Sequence, residues 1–171
     1  MLTLSLLRHA KSSWADPAQD DFDRPLNERG REAAPRMGAY MAEQKLAPKL
    51  ILCSPALRTR QTLALVLPHL QRTAEIAYED DLYLASTGQL LKKIRKTTAA
   101  TSHLMIVGHD PGMHGIATKL AGSGDPATLD FLAAKFPTAG LAVILFDAKS
   151  WADVGDGDGR LRFFMTPKRL P

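Results

Sequence analysis

Three apolar runs along the chain end in the same way. Leu2, Leu4 and Leu6 alternate with Thr3 and Ser5, Leu7 follows, and the run stops at Arg8-His9. Leu50-Ile51-Leu52-Cys53 stops at Ser54-Pro55, with Arg58 just beyond. Leu104-Met105-Ile106-Val107 stops at Gly108-His109-Asp110-Pro111. Alternation of apolar and polar positions predicts a strand over residues 2–7. The continuous runs at 49–53 and 104–107 suit strands buried on both faces. Further strands are predicted at 74–78 and 141–146. A last one at 161–165 pairs back across a turn at Asp153 to Gly159.

Between the strands the period changes. Asn27 is a good N-cap with Glu28 in the first turn, and Ala33, Met37, Tyr40 and Met41 form the buried face of a helix. Gly30 and Pro35 are awkward inside it and predict a bend near residue 31 or a later start. Ser54 as N-cap and Pro55 at the first helical position open a helix carrying Leu63, Val66, Leu67 and Leu70. Arg58 then lies in its first turns, against the dipole, which calls for something anionic nearby. Ser86 to Gln89 reads as a capping box before Leu90, Leu91 and Ile94. Asp110-Pro111 starts a helix with Met113, Ile116, Ala117 and Leu120 on one face and Gly122 as its stop. Residues 10–26, with Pro17, Pro25 and the aspartates 16, 20, 21 and 23, read as a loop.

Strands alternating with helices give an α/β fold of three layers, a mostly parallel sheet flanked by helices on both faces. The closing hairpin makes the sheet mixed. With 171 residues and no repeat, linker or low-complexity segment, one domain over 1–171 is expected.

Composition narrows the class. The chain is 45% hydrophobic and 23% charged, as in ordinary globular proteins, and no apolar stretch reaches the ~18 residues of a membrane span. The N-terminus lacks a basic segment, and Arg8 interrupts the first apolar run, so no signal peptide is expected. A lone cysteine, Cys53, fits a reducing compartment, and a cytoplasmic location follows. Net charge is +4, which suits an anionic ligand. The basic residues are spread along the chain, so neither nucleic acid nor membrane is an expected partner.

The three strand ends carry the candidate chemistry. In open α/β sheets ligands sit at the carboxyl ends of the strands. There Arg8, His9, Arg58 and His109 would converge. Arginine forks match phosphate oxygens bidentately, histidine can act as a covalent nucleophile, and helix N-termini favour anions. Arg24 and Ser12, in the first loop, are further candidates for phosphate contact. Lys11 reads as a solvated side chain. His69 and His103 read as ordinary surface residues. No histidine spacing indicates a zinc site, and Asp153 to Gly159 lacks the closing glutamate of a calcium loop.

Leu7-Arg8-His9-Ala10, Ser54-Pro55-Ala56-Leu57-Arg58-Thr59-Arg60-Gln61-Thr62 and Gly108-His109-Asp110-Pro111 resemble, in order and spacing, the three motifs of the histidine phosphatase superfamily. That superfamily has the phosphoglycerate mutase-like fold. Arg24-Pro25-Leu26 and Phe136-Pro137-Thr138-Ala139-Gly140-Leu141 are similar to segments of its SixA-type phosphohistidine phosphatases. The resemblance implies His9 as nucleophile, with Arg8, Arg58 and His109 binding the phosphate, and no metal or other cofactor. The implied substrate is a phosphorylated protein or a small phosphorylated molecule.

Two positions depart from the pattern. Ala10 replaces the family's glycine, which requires a backbone without positive φ there. Leu84 stands where many members carry a glutamate proton donor. A phosphohistidine leaves as imidazole, with a pKa around 6.5, and needs little acid help, whereas an alkoxide leaving group does. The expectation is therefore a phosphohistidine phosphatase. A broad phosphomonoesterase for small esters is one alternative, and a phosphate- or phosphoprotein-binding module without turnover is another. Asp16, Asp20, Asp21, Asp80 and Asp81 are the carboxylates left to supply a proton from another loop.

Overall fold

The computed structural model describes residues 1–171 as a seven-stranded sheet between two helical layers. The strands are β1 (Leu2–Arg8), β2 (Leu50–Cys53), β3 (Glu75–Tyr78), β4 (His103–Gly108), β5 (Ala121–Ser123), β6 (Leu141–Phe146) and β7 (Gly159–Met165). Their spatial order is β3-β2-β4-β1-β6-β7-β5. β3, β2, β4 and β1 are mutually parallel. β6 pairs antiparallel with both β1 and β7, and β5 lies parallel to β7. β6 thus runs against the rest, and the sheet is mixed but mostly parallel.

The apolar strands divide their side chains between two cores. Leu4, Leu6, Leu52, Leu104, Ile106, Ala142 and Ile144 pack under α3 (Thr87–Arg95), α4 (Gly112–Leu120) and α5 (Pro126–Ala134). Their neighbours Leu7, Ile51, Cys53, Met105, Val107, Leu141 and Val143 face α1 (Glu28–Glu43) and α2 (Leu57–Val66) through Met37, Met41, Leu63 and Val66. The period of two along each strand produces this split. Ser5 is the polar exception on the second face, and its hydroxyl lies 2.8 Å from His103 Nε2. His103 is therefore a half-buried sheet residue, not the surface residue its context suggested.

The helix starts are informative. Asn27 caps α1, its side chain accepting from Gly30 N at 2.9 Å, and the helix runs from Glu28 to Glu43 with Pro35 inside it. Of the two expectations, a bend near residue 31 or a later start, the later start does not occur. Gly30 instead serves a close approach: a Cβ there would sit 2.1 Å from the Lys11 carbonyl oxygen, which also accepts Asn27 N. In an open helix, glycine to alanine gains about 1 kcal/mol. Here the contact is backbone on backbone, and overpacking of this kind costs ~1–3 kcal/mol. Gly30→Ala is expected to lower the melting temperature by about 2–8 °C, where an open site would raise it. A thermal melt checks the sign.

The capping box of α3 is complete, Ser86 and Gln89 each accepting the other's backbone N–H. α2 and α4 begin later than expected, at Leu57 and Gly112. Each side chain of Ser54 and Asp110 serves two partners: Asp110 accepts from His114 N at 3.1 Å and stands near Arg8, and Ser54 accepts weakly from Ala56 N while its hydroxyl meets His109. α5, capped by Asp125 with Pro126 at its first position, and the short β5 were not anticipated.

Candidate active site

The register of β1 and β4 brings the two histidines together. Arg8 pairs with Gly108 as the last rung of the parallel ladder, so His9 and His109 emerge side by side, with ring centroids 5.4 Å apart. His9 N donates to Gly108 O, and Ala139 N donates to His9 O, fixing the chain as it leaves the sheet. Ala10 N donates to Thr62 Oγ1, which in turn donates to Arg58 O. Thr62 thus ties the loop after His9 to the helix carrying Arg58. Ala10 has no positive φ and is fully buried, so alanine meets the requirement at this position.

His9 is 6% exposed. Its Nδ1 lies 2.7 Å from the Ala10 carbonyl oxygen, which can only accept, so Nδ1 carries the proton and the neutral ring presents its lone pair at Nε2. Burial, with help from the Arg58, Arg8 and Arg24 guanidiniums, pushes the imidazole down to about 4. His109 is pushed down to about 3 by burial, Arg58 and His9. Its Nε2 lies 2.7 Å from Ser54 Oγ, and a neutral ring accepting there carries its proton on Nδ1.

The guanidiniums are held by neighbours on one side only. Arg8 Nη1 donates to Phe136 O at 2.8 Å and stands 3.6 Å from Asp110 Oδ2. Arg58 donates through Nη1 to Asp21 O at 2.6 Å and through Nη2 to Asp21 Oδ2 at 3.0 Å. Asp21 is the anion that the helix-start position of Arg58 called for. Arg24 donates to Asp21 Oδ1, Ser12 Oγ and Ser13 O, and lies 3.5 Å over the Trp14 ring. Arg24 and Ser12 thus bond each other first and brace the loop around Asp21. Three buried atoms keep no partner within the protein: Arg8 Nε, Arg58 Nε and His109 Nδ1.

Asp21 does not fit the role of proton source that the sequence left open for it. Desolvation pushes its carboxyl up, but the Tyr83 hydroxyl and the Arg58 and Arg24 guanidiniums outweigh this and hold it down to about 2. It is an anion that orients arginines. Asp81 and Glu79 pair with Lys93, and Asp80 is exposed. Leu84, at the position of the family's glutamate, is 54% exposed with φ 51. Asp110 is the carboxyl nearest Arg8, and burial raises it above the usual range, against the pull of Arg8.

Sequence reasoning missed Ser54 and Tyr83 as parts of this constellation. Ser54 reads as a cap because it precedes Pro55, yet its hydroxyl serves His109. Tyr83 sits between two leucines, and its contact with Asp21 spans 62 residues. Its ring packs edge-on to His109 at 5.5 Å and to Phe22 at 5.1 Å, closing one wall.

The depressed imidazoles predict a pH response. In the unliganded protein, burial keeps His9 neutral down to about pH 4. An NMR titration is expected to show its ring resonances flat from pH 8 to 5.5, where an ordinary histidine is half protonated near 6.5. The same shift links to stability. Below pH 6.5 the unfolded chain takes up protons that folded His9, His109 and His103 refuse, so stability present above pH 6.5 falls as the pH drops toward 4.

No group of three or more His, Cys, Asp or Glu side chains is placed to hold a metal ion, and no helix is long and apolar enough to cross a membrane.

An uncharacterized protein of Mycobacterium tuberculosis is 38% identical over 164 residues, spanning 95% of this chain and all of its own. The crystal structure of a candidate phosphohistidine phosphatase SixA from Agrobacterium tumefaciens superposes with a TM-score of 0.78 at 34% identity, covering 97% of this chain and 98% of that one. A candidate SixA from Nakamurella multipartitia gives 0.83 at 30% identity, covering 97% and 96%. These neighbours share the phosphoglycerate mutase-like fold. Residues 4–103, which contain Arg8, His9 and Arg58, match the histidine phosphatase superfamily (branch 1), and the chain belongs to that family.

Proposed function

We propose that the protein hydrolyses phosphohistidine on a protein or peptide through a covalent phospho-His9 intermediate. One observation carries this reading. Arg8 Nε and Arg58 Nε are buried donors without an acceptor, and His109 Nδ1 is a third when its Nε2 accepts from Ser54, in a site shared with a neutral His9 whose Nε2 lone pair is free. Buried donors demand acceptors, and a phosphoryl group supplies three oxygens at once.

In the first step Nε2 of His9 attacks phosphorus. The substrate's N–P bond breaks, and its imidazole leaves with the electron pair, already protonated on its other nitrogen. Arg8, Arg58 and His109 hold the equatorial oxygens and stabilise the charge that spreads over them. In the second step water attacks phosphorus, the Nε2–P bond breaks, and His9 regains its lone pair. Inorganic phosphate departs. The guanidiniums supply the positive charge, so the scheme uses no metal. Arg24 and Ser12 brace the loop and complete the phosphate cradle. The lone, fully buried Cys53 suits a cytoplasmic location.

The absence of a dedicated acid gives the substrate preference. Leu84 presents no proton. Tyr83 is engaged with Asp21, and burial together with that carboxylate raises its phenol above the ordinary value. A broad phosphomonoesterase is the second reading, and Asp110 is the observation in its favour. A raised carboxyl beside Arg8 could protonate an alkoxide.

One peptide carrying either phosphohistidine or phosphoserine separates the two readings. A positioned acid is worth ~10²–10⁴ in rate, so the phosphohistidine form is expected to turn over at least ~10²-fold faster by kcat/KM. Comparable rates on both, with the phosphoserine rate lost in Asp110→Asn, would establish the esterase instead. Phosphate binding with no turnover of either would leave a binding module.

A further inference from the structure

The fold gathers basic residues that the sequence scatters. A groove of about 600 Å³ is lined in part by Pro137 and Thr138, which follow the Phe136 carbonyl that accepts from Arg8. Lys11, Arg29, Arg36, Lys135, Lys168 and Arg169 line it, and Glu32 is its one carboxylate. We propose that this groove binds an acidic segment of the phosphorylated protein substrate, an inference that rests on the reading of that substrate as a protein.

All six cations are exposed, and none forms an ion pair, whereas Arg8, Arg24, Arg58, Lys93 and Lys119 each do. The chain has 18 acidic residues, enough to neutralise such a cluster had they been placed there. Local helix electrostatics do not account for the arrangement either. Lys135 suits the C-terminal end of α5, but Arg29 lies in the first turn of α1, where a cation opposes the dipole. A concave surface lined by one sign of charge focuses potential and attracts the opposite sign.

The groove and the site are built from shared stretches of chain. Lys11 lies two residues after His9. Pro137 and Thr138 line the groove, between Phe136, whose carbonyl accepts from Arg8, and Ala139, whose N–H donates to the His9 carbonyl. The 136–139 segment therefore contributes both to the phosphate site and to the groove. Chain flanking a phosphorylated side chain seated at His9 would run over it.

The lining favours a polypeptide over a nucleic acid. Its apolar patches are Ala33, Pro137 and Pro167, and its one aromatic, Phe131, is covered by the Arg169 guanidinium at 3.7 Å. No open ring is offered for base stacking, on which single-strand binding depends.

The test uses a fluorescent ten-residue glutamate-rich peptide without phosphate, its glutamine counterpart, and a single-stranded oligonucleotide of equal charge. Binding is read by anisotropy on wild type and on Arg36→Glu/Lys168→Glu. Wild type is expected to bind the acidic peptide at least ~10-fold more tightly than the neutral one at low salt, an advantage that shrinks as salt rises. The double variant should lose the preference while hydrolysing a small phosphoramidate at the wild-type rate, which also shows that it is folded. Equal binding of the two peptides, or a preference unchanged in the variant, overturns the proposal. Tighter binding of the oligonucleotide overturns it in favour of nucleic acid. Because binding is measured without turnover, failure to hydrolyse phosphohistidine would count against the proposed reaction alone.

Discussion

His9→Ala is expected to abolish turnover, with kcat falling at least ~10⁴-fold, while phosphate still binds. Removing a covalent nucleophile removes the pathway itself rather than one stabilising contact. The binding donors do not depend on His9. Arg58 is held by Asp21, Arg8 by Phe136 O and His109 by Ser54. Vanadate or phosphate should therefore still raise the melting temperature of the variant. In wild type, rapid mixing with a phosphohistidine peptide and an alkaline SDS quench, which preserves N–P bonds, should trap label on the protein, and His9→Ala should trap none. The one nearby nitrogen that could substitute is on His109. Its Nε2 is engaged by Ser54, and its Nδ1 carries the proton in that tautomer. Turnover in His9→Ala above a few per cent of wild type, or trapped label that survives the substitution, would mean that His109 or water does the chemistry.

The strands that position these groups were the most legible part of the chain. β2, β4 and β6 are buried on both faces and read as unbroken apolar runs, β1 is marked by its alternating leucines, and the four end sharply at Ser54, His109, Asp147 and Arg8. Less was legible where a local signal had two uses. Ser54-Pro55 has the form of a helix start, and α2 does follow. Yet Ala56 N reaches the Ser54 hydroxyl at only 3.4 Å, against 2.7 Å to His109. Pro126 after Asp125 was a readable start for α5, but only Leu132 of that helix is buried, so the apolar period was weak. His103 sits at a strand edge in sequence and against Ser5 in space.

The least legible feature was which of the loop aspartates matters. The one local partner of Asp21 is Arg24, three residues on. The contacts that give it a role come from Arg58, 37 residues away, and Tyr83, 62 residues away. The same holds for the basic groove, whose six cations come from four separate segments. Such assemblies depend on long-range packing, which pattern and propensity do not encode.

The Arg58–Asp21 pair gives the second large expected effect. Arg58 is 2% exposed, and each terminal nitrogen gives one N–H to Asp21, so Nε and the remaining terminal N–H groups are the donors left for phosphoryl oxygens. Arg58→Lys keeps the charge but offers one ammonium where the fork offers several fixed donors, so it can serve Asp21 or the phosphoryl group but not both. A drop of ~10³-fold in kcat/KM is expected for lysine, and a larger one for alanine, in line with the loss of transition-state charge stabilisation. Arg58→Ala also leaves the Asp21 carboxylate beside the phosphate site, where it repels the substrate. The consequence is a sign reversal. In wild type, Asp21→Asn loosens Arg58 and should cost about tenfold, the size of one weakened charged hydrogen bond. In the Arg58→Ala background the same substitution removes only a repulsive charge and should improve KM. A four-variant cycle of kcat and KM reads this coupling directly. Equal losses from Asp21→Asn in both backgrounds would show that Asp21 acts on the substrate or the fold independently of Arg58. An Arg58→Lys variant within threefold of wild type would remove Arg58 from the phosphate site altogether.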